Sequence, residues 1–465
     1  MTNFMTSTEK RAVTSLSLIM ALRLMGLFMI VPIFALYAKQ LSGATPLLIG
    51  VAMGIYGITQ ALLQIPFGLL SDRLGRRPII VLGLLLFALG SLIAALSTSI
   101  YGVILGRALQ GGGAIGSALM AMIADLTREE QRTKAMAISG MSIGLSFALA
   151  IIIGPLLTRW LPFQDLFWLS VLFSLLGTLI LFTWTPKPRH LAWHPDTEPE
   201  LKLFFTLLKN KNLLRLNSGI FFLHAIFTAS FVVLPISLST YLNWPGQEQW
   251  KLYLPVLLIA FMLSLIMISV AEKQRRVKPY FLGSIITLSL AELFLNFFYQ
   301  NILLTAVGLC LFFTAFSLLE AFLPSLVSRT APAARKGTAM GLYSCSQFLG
   351  IFAGGLLGGW LYQHQGLLSV YPLCLAFSLL WLSIAFKMNL PPYLLTRSLK
   401  LAALFDKRGQ NNTWPELAQQ LQSIPGITEI TFLPEEKVAY LKMENRALSH
   451  PDFLRIEQFL HQINH

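Results

Sequence analysis

Apolar runs of about twenty residues recur along most of this chain, separated by short polar stretches. They lie near 12–38, 46–71, 78–97, 99–124, 134–158, 163–185, 213–240, 249–270, 279–298, 301–328, 336–362 and 366–388. Each can cross a hydrocarbon core of roughly 30 Å as a helix, so the pattern predicts twelve membrane spans. The first run is too long for a signal-peptide core, shows no cleavage site and is soon followed by a second span; it is expected to stay as a helix. Past about Leu395 the pattern changes. Residues 427–433 and 437–443 have β-type composition around Pro434-Glu435-Glu436, which reads as two strands and a turn. Residues 414–424 and 451–463 carry helical periodicity, and a first strand is expected at 399–405.

The spans repeat. At an offset of 200 residues, GPLLTRWL (154–161) aligns with GGLLGGWL (354–361), and Ser71-Asp72-Arg73 lies over Ala271-Glu272-Lys273, with Arg76 over Arg276. Six spans per copy give both copies one orientation, a parallel repeat about an axis along the membrane normal. The expected organisation is a six-helix half at 1–185, a cytoplasmic linker at 186–212, a second six-helix half at 213–390 and a small domain at 396–465. The linker is rich in Pro, Lys and His, as domain boundaries often are. The fold class is all-α polytopic membrane protein, plus an α+β unit whose β-α-β-β-α order is ferredoxin-like.

Composition supports the membrane reading: 55% of the 465 residues are hydrophobic and 12% charged, about half the charged fraction of a soluble domain. The net charge of +14 is a matter of topology. With the N-terminus inside, Lys10, Arg11, Arg73, Arg76, Arg77, Arg128, Arg132, Lys134 and the basic residues of the linker fall on the cytoplasmic side, as do those at 273–278 and 329–336. The other side receives Lys39, Arg159 and Lys251. That asymmetry obeys the positive-inside rule and argues against nucleic acid as a partner. Both termini are expected in the cytoplasm. Cys310, Cys345 and Cys374 fall inside spans at unrelated spacings, so buried free thiols are expected and no metal, cofactor or disulfide framework is.

Between spans two and three stands GLLSDRLGRRP, a burst of charge in the pattern G-x-x-x-D-R-x-G-R-R. It resembles motif A of the major facilitator superfamily at Gly68, Asp72, Arg73, Gly75, Arg76 and Arg77. RALQGGGA in span four is similar to the family's motif B, with Arg107, Gln110 and Gly111. Gly154 and Pro155 in GPLL resemble the antiporter-associated motif C, from which the chain departs at Thr158-Arg159 and at Ala150. Together with ALRLMGLFMIVP in span one, the added C-terminal unit is most similar to the YajR group of proton-driven exporters. The resemblance implies alternating access, with Asp72 accepting hydrogen bonds at the start of span eleven near Gly337 to Gly341. It implies that Arg76 pairs with Asp125, forming a latch that favours an outward-open state.

A charge near the bilayer centre costs several kcal/mol, so ionisable residues inside spans are functional candidates. Glu320, near mid-span with no adjacent cation, is the first choice for proton coupling; Glu292 and His224 are the others, because their charge can change with exposure or partner. Packing between helices is the competing reading for each. Arg23 and Arg107 stay charged and are cavity-charge candidates; snorkelling to the periplasmic headgroups is the alternative, more so for Arg107 than for Arg23. Gln60, Gln64, Gln110 and Gln347 could line a cavity or join helices.

The expectation is a proton-coupled secondary transporter in a bacterial inner membrane, exporting small apolar or amphipathic compounds. Its alternative is a proton symporter for uptake of a small, anionic solute. No catalytic residues are assigned, since HExxH and a Walker A loop are both missing. A receptor or scaffold using the C-terminal domain, which could also self-associate, is the reading from another class.

Overall fold

A computed structural model describes residues 5–187, 207, 209–331, 336–388, 395–400, 419, 421–433, 438–443 and 451–456. Among them, eleven helices are long and apolar enough to cross a membrane. Numbered in chain order, span 1 consists of helices Ser7–Phe28 and Val31–Ala38, span 2 is Pro46–Leu74 and span 3 is Arg76–Leu96. Span 5 is Glu129–Leu157, span 6 Phe163–Thr183, span 7 Lys211–Tyr241 and span 8 Trp250–Lys273. Spans 9 to 12 are Val277–Phe297, Ile302–Thr330, Lys336–Gln365 and Val370–Phe386.

Span 4 corrects the expectation of a continuous helix over 99–124. It is two helices, Ile100–Gly112 and Gly116–Asp125, each too short to cross alone. Gly111-Gly112-Gly113 is the local cause, because each glycine weakens a helix interior by about 1 kcal/mol relative to alanine. Packing fixes the break: a Cβ on Gly113 would strike the Gly83 carbonyl of span 3, and one on Gly83 would strike Ile115. Span 1 also breaks, at Met29-Ile30. Pro32 has no N–H to continue the ladder, and Gly154 of span 5 lies directly against the Met29 carbonyl.

Helix ends at the motif loop are tied by charged side chains. Thr6 and Glu9 form a capping box at the start of span 1. Arg11 and Arg77 donate to the last carbonyls of span 6 and its C-terminal turn, Arg11 to Thr183 and Trp184 and Arg77 to Leu181 and Thr185. Arg215 does the same for span 12 at Lys387. Cations there complement the negative end of the helix dipole.

Span 7 starts at Lys211, slightly before the expected boundary, and most of the expected linker lies outside the described residues. Beyond span 12, β1 (Leu395–Lys400), β2 (Ile427–Leu433) and β3 (Val438–Met443) form an antiparallel sheet in the order β1-β3-β2. The first strand therefore begins earlier than the expected 399–405. Leu399 pairs with Ala439 and joins Leu421, Ile424, Leu441, Met443 and Phe453 in a separate small core, so it falls within the strand and not at its start. The turn at 434–436 and most of the helices expected at 414–424 and 451–463 lie outside the described residues.

Candidate functional site

The two sets of six spans meet most extensively along spans 2 and 11. Glycines make that approach close. A Cβ on Gly50 would fall 2.8 Å from Gly359 Cα, and one on Gly355 would fall 3.0 Å from Gly54 Cα. Leu47 N donates to Gln363 Oε1, Lys39 lies over the Tyr362 ring, and Cys345 Sγ donates to the Ala61 carbonyl at mid-depth. These contacts run from mid-depth to the end of the bundle away from the 72–77 loop. Toward that loop, among the described residues no packing atom lies within 4 Å of where a Cβ would stand on Gly140 and Gly144 of span 5 or Gly337 and Gly341 of span 11. The halves therefore close at the far end and part at the motif-loop end.

At mid-depth in the second half, three spans converge on one imidazole. His224 Nε2 of span 7 lies 3.0 Å from Glu320 Oε1 of span 10 and 2.9 Å from Gln347 Nε2 of span 11. With Glu320 ionised, Nε2–H donates to it, and the amide presents its oxygen; with Glu320 protonated, its O–H donates to a bare Nε2. One proton can thus reside on either residue with His224 and Glu320 in place, provided the Gln347 amide flips to match. The expectation that Glu320 lacks an adjacent basic group is corrected: spacing along span 10 could not reveal His224. Tyr343, one turn before Gln347 on span 11, has a buried hydroxyl without a partner, as do His224 Nδ1 and Asn217 Oδ1. Phe316 packs 5.6 Å from the His224 ring and stacks 5.6 Å from Phe147 of span 5. Phe147 also meets Phe28 and Phe227, so an aromatic bridge joins the halves beside the pair.

Glu292 is fully buried elsewhere. Ser230 Oγ donates to its Oε1 at 3.3 Å and lies 3.5 Å from Cys374 Sγ, while Oε2 has no partner. Ser230 is six residues beyond His224 on span 7, about 9 Å along the helix, so Glu292 is not part of the pair.

In the first half, Arg107 is 1% exposed. It donates to the carbonyls of Ala52 and Met53 and to Gln110 Oε1, and lies 4.6 Å over the Tyr56 ring. Gln110 in turn donates to Ser91. This corrects the snorkelling alternative, since acceptors inside the bundle take its N–H groups. Arg23, 4% exposed, makes one hydrogen bond, from Nη2 to Gln60 Oε1 at 3.2 Å. Its Nε has no partner, and its guanidinium lies 5.7 Å from the Phe87 ring centre.

At the motif loop, Gly75 has φ +96°, a conformation glycine adopts without strain, and separates spans 2 and 3. Arg76 is hydrogen-bonded to Asp72 and to Ser71, and its Nε donates to Asp125 Oδ2 at 3.1 Å. Arg73 is exposed, and Gly68 faces Ser117 of span 4. Among the described residues Asp72 makes no hydrogen bond to residues 337–341. The halves are parted at this end, so the start of span 11 is out of reach. Sequence reasoning missed Glu9, whose carboxylate receives the backbone N–H and the guanidinium of Arg128 at 2.9–3.0 Å. The T-S-T-E stretch accounts for a capping box at the helix start, and nothing in it signals a partner 119 residues away. Among the described residues no His, Cys, Asp and Glu cluster could hold a metal ion.

The Major Facilitator Superfamily model matches residues 16–355. The chain is 42% identical over 461 residues to the inner membrane transport protein YajR of Escherichia coli K12, covering 98% of this chain and 99% of that one. Its fold is like that of the human organic anion transporter MFSD10, with TM-score 0.63 and 20% identity over 82% of this chain and all of the other. It is also like that of a D-xylose–proton symporter, with TM-score 0.68 and 16% identity over 83% and 98%. By the family match and the full-length relative, this chain belongs to the Major Facilitator Superfamily and is an integral membrane transporter, not an enzyme.

Proposed function

We propose that the chain is a proton-coupled secondary transporter that exports small apolar or amphipathic compounds from a bacterial cytoplasm across the inner membrane by alternating access. The observation that carries this reading is the proton-sharing pair His224–Glu320, set at mid-depth between halves that close at one end and part at the other. Glu320 is 32% exposed at its side chain, so protons can reach it, and the Phe316–Phe147 stack ties the pair to the contact between the halves. An amphipathic compound suits the aromatic wall beside it. The proton symporter among the fold neighbours is in keeping with such coupling. The motif loop, with Asp72, Arg76 and Asp125, acts as the cytoplasmic latch, engaging span 11 when that end closes. Both termini and the 186–212 linker are cytoplasmic, and 396–465 is a ferredoxin-like regulatory or self-association domain, in keeping with its β1-β3-β2 sheet.

Uptake of a small anionic solute with a proton is the second reading, favoured by the underused guanidinium of Arg23. Proteoliposomes test both. A pH gradient should drive uphill, uncoupler-sensitive substrate flux in the wild type, and Glu320→Gln should retain exchange while losing uphill movement. Substrate binding with no flux in either direction would leave a receptor or scaffold as the better description.

A further inference from the structure

The break in span 4 leaves a helix N-terminus inside the bundle. The intervening amides turn back on the first helix: Gly113 N donates to Gln110 O, Ala114 N to Gly112 O and Ile115 N to Gly113 O. Leu119 N then donates to Ile115 O, the first bond of the second helix. The amides of Gly116, Ser117 and Ala118 have no acceptor among the described residues, and Ile115 provides no side-chain cap. Free N–H groups and the dipole make such an end attractive to an anion.

Independent groups converge on the same place. Gln64 Nε2 lies 3.8 Å from where a Cβ on Gly116 would stand, and the buried Gln64 Oε1 has no partner. Ser117 Oγ, facing Gly68 one turn further along span 2, is buried and unpaired as well. One turn the other way, Gln60 holds Arg23, whose Nε is unpaired. Gln60, Gln64 and Gly68 follow one another at helical spacing and so form one stripe on span 2. No carboxylate neutralises it: among described side chains of the first half, Glu9 pairs with Arg128, Asp72 and Asp125 pair with Arg76, and Asp165 lies in the first turn of span 6. Buried charge is costly unless it is paired, so an under-bonded guanidinium at one end of the Gln60–Gln64 stripe, with unoccupied amides past Gln64, calls for an anion.

We propose that this stripe binds the anionic head group of the transported compound: a carboxylate or an oxyanion of similar chemistry, received by the amides of 116–118, Ser117, Gln64 and Arg23. Phe28, five residues past Arg23 on span 1, begins the aromatic bridge to Phe147 and Phe316, which takes the apolar body. The substrate class is therefore an amphipathic organic anion. The second helix of span 4 has ten residues, which places its start about 15 Å from the motif-loop end, near mid-bilayer and below the headgroup layer. That depth favours a transported solute over a lipid headgroup. The assignment rests on the transport reading and holds for either direction.

The test uses the full chain in nanodiscs and three probes matched in shape: phenylacetate, phenylacetamide and phenethylamine. Phenylacetate should raise the melting temperature, and the amide and amine should not. Gln64→Leu and Ser117→Val, which change no charge, should each weaken phenylacetate binding about tenfold; Arg23→Gln should weaken it more, and Arg23→Lys should restore part of it. Equal stabilisation by the amide or amine, wild-type binding in these variants, or no binding of phenylacetate would overturn the site. So would competition by anionic lipid, which would assign it to a headgroup. Proton-driven flux of a neutral compound without acid binding would sink this site and leave the transport reading standing. An acid that binds but is not moved in proteoliposomes would do the reverse.

Discussion

Replacing Gly355 by alanine should open the far end of the bundle. The added Cβ would lie 3.0 Å from the Cα and N of Gly54, nearer still to the Gly50 carbonyl oxygen, against an ordinary contact of 3.4–4 Å. All three neighbours are backbone, so no side chain can turn aside and spans 2 and 11 must separate. Overpacking of this kind costs about 1–3 kcal/mol, and 1–2 kcal/mol already changes a two-state ratio by a factor of about 5–30. The cost falls on the state in which the far end is closed, so the population should move toward the state in which it is open. Spin labels at Gln40 and His364, both exposed at the far end, would report this by pulsed electron resonance in a variant lacking Cys310, Cys345 and Cys374. A longer-distance population should grow in Gly355→Ala, and again in Gly50→Ala, which attacks the same contact from the other helix. Gly144→Ala, where nothing lies within 4 Å, should produce no such growth. A folded Gly355→Ala with an unchanged distance distribution would refute the argument, as would an equal response in the control.

Asp72→Asn should increase the population closed at the far end, because it weakens the latch on the opposite state; the same spin pair reads this, and no change would count against the latch. Arg76→Ala should cost only about 0–1 kcal/mol of stability, since its carboxylate partners are exposed and such pairs are weak; a large drop in melting temperature would show that the loop holds the fold together. Gly111→Ala should lower the melting temperature, because its Cβ would strike Thr59 Oγ1 and the Tyr56 carbonyl of span 2; an unchanged unfolding temperature would show that the span 2–span 4 contact yields freely. Removal of 396–465 should leave proton-driven flux intact, and an unfolded or inactive truncated protein would contradict this.

Much of the architecture could be read along the chain because a bilayer imposes a length and polarity on every crossing segment. Hydropathy placed the eleven crossings that are long apolar helices among the described residues but not the broken helix at 100–125, and the motif-loop signature pointed to Arg76 and Asp125, which the structure brings together. The site was less legible. His224 and Glu320 were separate candidates on spans 7 and 10, and nothing in local spacing says that two residues nearly a hundred positions apart share a proton. Arg107 was the better candidate for snorkelling by depth, yet carbonyls on span 2 hold it inside. Gly111-Gly112-Gly113 did carry a local signal for the break in span 4, but the hydrophobic run on either side masked it.

The sequence by itself determined which segments enter the membrane and which end of the bundle is basic, and its 200-residue offset pointed to a repeat. These follow from transfer free energies and charge placement, which are properties of short segments. Only the tertiary structure decided which buried polar groups find partners and which do not. Pairing depends on directed contacts over a few ångströms between spans distant in sequence. That is why Glu320 gains an imidazole, Arg107 is held by several acceptors, and Arg23 keeps an Nε without a partner among the described residues.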